Sequence, residues 1–304
     1  MKVLLRFLIL LVTFYVGTNA LAQLSYPPAK FAKAFNAKLN GASFKIGNAS
    51  LKLEVLNGLV TGLSYEGARD DLKTPALVIA TALEHPENAA GLETNLKNSA
   101  NRFRDVGTVS PGLTPETVLE LRWAKTFVFR LNLKRFAGFG PDRHVMGKTG
   151  VMIREFSDFE CPFCKQLMLQ TLPGLRSKFV DKGLARFAFH HLPLTSIHSK
   201  ALEAAIAAEC AGAQGKFFAY HDLLFALGLN DFQNLARTTQ LNVGVFNQCL
   251  KSASSKQAVL EEASHAQRLQ INATPTVFVG AFKLANANDL NAYARYLQMA
   301  KGLK

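Results

Sequence analysis

Cysteine is scarce in this chain: four residues in 304, which allow only three pairings. Past the first two dozen residues no apolar run is long enough to span a bilayer, so no second membrane segment is expected. No stretch interleaves clustered Lys and Arg with aromatics, which excludes a nucleic-acid binder despite a formal charge of +13. Internal repeats and low-complexity tracts are also missing, which excludes a repeat array. The seven histidines fall into no metal-ligand spacing, so neither metal nor cofactor is expected.

The N-terminus is different in kind. Lys2 and Arg6 precede an apolar run from Phe7 to Val16, and small residues follow at Ala20 and Ala22. That is the pattern of a signal peptide over residues 1–22, with a retained membrane anchor as the alternative. Either form places the rest of the chain in the periplasm or another extracytoplasmic space. Losing Lys2 and Arg6 leaves a formal charge of about +11, that of a basic secreted protein.

Residues 23–136 contain no cysteine and read as a small α+β domain. Phe31, Phe35 and Leu39 recur at helical spacing after Pro27-Pro28. Leu51, Leu53 and Val55 alternate with charged residues up to Asn57-Gly58, a hairpin signal before a second strand at 59–65. A polar helix is expected over 86–103 and strands over 117–123 and 127–133. Residues 137–142, rich in glycine and closed by proline and aspartate, read as a linker. Beyond it, residues 143–304 run strand (151–157), helix, strand (185–191), a helical block over about 198–269, strand (276–280) and a last helix (290–299).

Cys161 and Cys164 stand directly after the first of these strands and at the start of a helix. Unpaired N–H groups and the macrodipole at a helix start lower a cysteine pKa from about 8.5 toward roughly 3.5–7. Cys161 is the expected nucleophile and Cys164, one turn further on, the resolving thiol. Pro162 suits the first helical position, where its missing N–H costs nothing. The short spacing pairs Cys161 with Cys164 and leaves Cys210 for Cys249. Their bond would close a loop of about 40 residues, a stabilisation of roughly 4 kcal/mol; a second redox pair is the alternative.

Three separated motifs carry a resemblance to a known family. They are Glu155-Phe156-Ser157-Asp158-Phe159-Glu160-Cys161-Pro162-Phe163-Cys164, the run from Cys210 to His221, and Ala273-Thr274-Pro275-Thr276. Together they resemble the DsbA-like branch of the thioredoxin superfamily, in its bacterial form, over about half the chain. The resemblance implies an α/β thioredoxin fold with an inserted helical domain, behind the small N-terminal α+β domain.

It further implies that Pro275 is cis beside the disulfide, with the Thr274 backbone offered to an extended client strand. Glu155 takes the place of the family's buried acid, able to exchange a proton with Cys164; a strand-end glutamate facing solvent is the alternative. Asp158 and Glu160 read as surface charge. The best-known oxidases of the family carry histidine before the second cysteine, whereas Phe163 offers neither charge nor hydrogen bond, so the residue between the cysteines does not predict a strongly oxidising pair. A zinc site built on Cys161 and Cys164 is set aside, because Pro162 and Thr274-Pro275 belong to redox chemistry.

The function expected is that of an exported thiol-disulfide oxidoreductase acting on unfolded or reduced client proteins and recharged by a redox partner. Two alternatives are a disulfide isomerase or reductase, a homodimer through the N-terminal domain, and a chaperone-like binding protein whose redox site is secondary.

Overall fold

The structure, a computed structural model, describes residues 24–103 and 107–303; the expected signal peptide lies outside them. The chain divides after Arg135 into two compact units. Among the described residues no helix is long and apolar enough to cross a membrane.

The first unit is an antiparallel sheet with helices. Its elements are α1 (Pro28–Lys33), β1 (Ser43–Ile46), β2 (Ala49–Leu56), β3 (Leu59–Ala68), α2 (Lys73–Ala82), α3 (Ala89–Phe103), β4 (Thr108–Val109), β5 (Thr117–Trp123) and β6 (Thr126–Leu133). The six strands lie in the order β1-β2-β3-β6-β5-β4. Asn57 and Gly58 both take positive φ, as a two-residue hairpin of matching twist demands, and the register closes at Leu56 and Leu59. On β5 and β6 alternate residues are buried, and Trp123, Phe127, Phe129 and Tyr65 stack on that inner face. The first helix ends at Lys33, earlier than the Phe31-Phe35-Leu39 spacing predicts.

The second unit begins at Phe136. Residues 137–142, read from sequence as a linker, are part of it: Phe139 is buried against Phe278, and Asp142 accepts both hydrogen bonds of the Arg154 guanidinium fork. The strands are β7 (His144–Met146), β8 (Val151–Ser157), β9 (Ala185–His191), β10 (Thr276–Val279) and β11 (Phe282–Lys283). They form one sheet in the order β11-β10-β8-β9-β7, with β8 and β9 parallel and β10 antiparallel to β8. Gly150, at φ +98, makes the turn into β8, where a Cβ would lie 2.2 Å from the Leu184 carbonyl carbon.

Between β8 and β9 the chain is helical, with α4 (Pro162–Gln166) and α5 (Leu172–Leu175) separated and followed by two wide turns, Leu167–Thr171 and Arg176–Val180. Pro173 has no N–H to give the preceding turn, which accounts for an interruption at this point. The inserted block holds α6 (Ala201–Gly212), α7 (Phe217–Leu227), α8 (Phe232–Thr238), α9 (Val243–Leu250) and α10 (Ala253–Arg268). Asp231, Asn242 and Ser252 cap the last three with side-chain oxygens. Ala266 of α10 joins Phe139, Phe156, Leu192, Ile271 and Phe278 in one core, so the block returns onto the sheet; α11 (Leu290–Ala300) closes the chain. This is the thioredoxin arrangement with helices inserted.

Candidate functional site

β8 carries Glu155 to the interior, where it faces Val277 on β10 and Phe189 on β9. Its side chain is fully buried and both carboxylate oxygens are without a hydrogen-bond partner. Burial pushes its pKa up to about 8; a nearby Cys161 charge adds to this and Ser157 opposes it. The carboxyl is therefore mostly protonated at neutral pH. Burial, and after it the Glu155 charge, raise the pKa of Tyr293 on α11.

After Ser157 the chain turns at Asp158, whose carbonyl accepts the Cys161 N–H at 3.1 Å. Asp158 corrects the sequence reading. It is buried rather than a surface charge, because its carboxylate is the knot of the loop. One oxygen accepts the Glu160 N–H at 2.8 Å; the other accepts the Leu194 N–H at 2.8 Å and lies 2.8 Å from His198 Nδ1. Glu160 is likewise engaged, accepting the Lys200 N–H at 2.6 Å.

Cys161 caps α4 in extended conformation, and its carbonyl accepts the Lys165 N–H at 3.0 Å. Cys161 is 5% exposed and Cys164 fully buried; both are free thiols. The Cys164 thiol is the largest influence on Cys161, stabilising its thiolate. Burial opposes, and Thr274 with the N–H groups of Cys164 and Phe163 reinforces, holding the pKa down to about 5. Cys164 moves the other way: burial, the bond to Cys161 and the Glu155 charge all keep it protonated. Phe163 between them is 65% exposed.

Thr274-Pro275 is a cis peptide, and in its thiol form Cys161 Sγ donates to the Thr274 carbonyl at 3.5 Å. The first and third sequence motifs therefore meet at one sulfur. The middle motif does different work: Cys210 on α6 and Cys249 on α9 are bonded within the inserted block, S–S 2.01 Å.

His198 carries no signal in the sequence. Burial disfavours its charged form, but the Asp158 carboxylate, with Cys161 and Glu160 in electrostatic reach, raises its pKa above the usual value. It places an imidazole, from the loop after β9, within electrostatic reach of Cys161, where Phe163 offers no titratable group. Only the folded loop reveals it, because 37 residues separate His198 from Cys161.

The sequence model of the thioredoxin family matches residues 141–299. The chain is 37% identical over 159 residues to an Na(+)/H(+) antiporter, NhaA 1, of Salinispora arenicola, covering 50% of this chain and 24% of the antiporter. It spans about a quarter of that relative's length. It is 27% identical over 147 residues to the probable disulfide bond formation protein D of Bacillus anthracis, 45% of this chain and 67% of that one. Among solved structures, BdbD of Bacillus subtilis shares 23% identity at a TM-score of 0.48, with 54% of this chain and 97% of BdbD covered.

Proposed function

The chain belongs to the thioredoxin family, and from that premise we propose that it is an exported thiol-disulfide oxidoreductase that oxidises client proteins. One observation carries the reading: a thiolate-favouring Cys161 and a protonated Cys164 share a helix start with the Thr274 peptide beside them. The similarity to a probable disulfide bond formation protein supports the reading, since that protein's name describes disulfide formation.

In the oxidised enzyme, a client thiolate attacks Cys161 Sγ. The Cys161–Cys164 bond breaks, the electron pair leaves on Cys164, and the Glu155 carboxyl, protonated at neutral pH, supplies the proton Cys164 requires in its buried setting. The Thr274 peptide holds the client segment as an added strand, whatever its side chains. A second client thiolate then attacks the client sulfur of the mixed disulfide and expels Cys161 as a thiolate. The client leaves with one disulfide and the enzyme with two reduced sulfurs, which a redox partner must reoxidise.

The low Cys161 pKa supports oxidation as the direction. At pH 7 a thiol moved from about 8.5 to about 5 stabilises the reduced enzyme by about 2.7 kcal/mol, close to 60 mV of oxidising potential. The test is the equilibrium constant of the pair against glutathione, with Cys161→Ser as control. A potential well above thioredoxin's roughly −270 mV supports an oxidase, and one at or below it supports a reductase. Activity retained by Cys161→Ser would remove the assignment altogether.

A further inference from the structure

Outside the dithiol site, three side chains distant in sequence converge in the second unit. His144 of β7 and His191 of β9 both point Nε2 at the same oxygen of Glu209 on α6, at 2.6 and 3.1 Å. All three donor atoms lie within 4.8 Å of one another. We propose that His144, His191 and Glu209 bind a divalent transition metal ion, with zinc the best match to their donor set.

Two imidazoles and a carboxylate are the borderline nitrogen and oxygen donors that zinc takes. Tetrahedral zinc with bonds of about 2.1 Å holds its ligand atoms about 3.4 Å apart, so the 2.6 and 3.1 Å separations must open by about 0.8 and 0.3 Å to admit it, within reach of side-chain rotation. His144 is fixed by stacking on Phe217, ring centroids 3.6 Å apart. His191 is anchored through its backbone N–H, which donates to Glu262 at 2.6 Å.

Three protein ligands leave a fourth position. His144 lines a cavity of about 770 Å³, so water or a small anion can reach it from that side. The two basic residues of the cavity wall are otherwise engaged: Arg143 pairs with Glu261, and Lys216 Nζ donates to the Thr239 and Gln240 carbonyls. A bound ion would clamp an edge strand, a central strand and α6 together. Glu209 adjoins the disulfide-bonded Cys210, and His191 stands opposite Ser157 on the strand leading to the dithiol.

The test is equilibrium dialysis against zinc of the full chain carrying Cys161→Ser and Cys164→Ser, which removes the competing thiols. Expected is one zinc per chain, a higher Tm with zinc, and a loss of at least about tenfold in affinity on Glu209→Gln or His144→Ala. Circular dichroism reports which variants fold; Glu209→Gln keeps a carbonyl acceptor for both imidazoles and serves if His144→Ala does not. No zinc on the folded double variant, or binding unchanged by Glu209→Gln, overturns the proposal and leaves a hydrogen-bonded triad only.

Discussion

Replacing Cys164 with alanine removes the largest of the interactions that hold Cys161 as a thiolate. A hydrogen bond to a charged group contributes about 1.5–3 kcal/mol, and about 1.4 kcal/mol corresponds to one pKa unit. The substitution should therefore raise the Cys161 pKa by about 1–2 units, from about 5 to about 6–7. It should not return to about 8.5, because Thr274 and the N–H groups of Cys164 and Phe163 remain. Thiolate absorbance in the ultraviolet, followed against pH, measures this directly. In the reduced wild type it counts Cys161 alone, since Cys164 stays protonated across the range. Alkylation rates at pH 5.5 give a second readout: about three-quarters of Cys161 is thiolate at a pKa of 5 and about a tenth at 6.5. A midpoint in Cys164→Ala within a few tenths of the wild type would show that the helix start, not the second thiol, controls the nucleophile. A wild-type midpoint above about 8 would sink the electrostatic account of the site.

Three further outcomes follow from the same geometry. His198→Ala should raise the Cys161 midpoint in the same titration, while His198→Lys, which keeps a positive charge, should restore part of the shift. Glu155→Gln should stabilise the fold as pH rises: the native carboxyl titrates near 8 and the unfolded one near 4.3, so its burial penalty is nearly absent at pH 4 and reaches roughly 3.5 kcal/mol by pH 7. Urea unfolding of both proteins at the two pH values checks the sign, and equal differences at both would refute it. Replacing Cys210 and Cys249 by serine should cost about 4 kcal/mol of stability, since the bond closes a loop of sequence separation 39. In a Cys161→Ser, Cys164→Ser background, where the other disulfide cannot form, reducing agent should then no longer alter the Tm.

What sequence reveals here is what is local. The bounds of β8 and β9 agree with the sequence reading because each run is rich in apolar residues and almost wholly buried, and a tight glycine precedes β8 while a polar helix start follows it. The Asn57-Gly58 hairpin is local in the same sense. α2 escaped because it is apolar on nearly every side, so no helical period stands out. β1, β7 and β11 are too short to show alternation. Cys161 and Cys164 announce themselves by spacing, whereas Asp158 next to Glu160 looks like a solvated acidic pair until the 192–200 loop brings its donors. His144, His191 and Glu209 come from three elements, and no spacing rule connects them.

The sheet of the second unit ends in strands of three and two residues, β7 and β11. Unfolded segments add readily to a long open edge, the route by which sheets aggregate. Edges this brief present too few backbone groups to retain such a segment. For the oxidase proposed above, strand addition in this unit is then favoured at the Thr274 peptide, whose carbonyl lies 3.5 Å from Cys161 Sγ, rather than at the sheet edges. On that proposal a liability of β-structure would serve as the recognition step, and a client gripped by little besides that peptide would be free to leave once its bond is made.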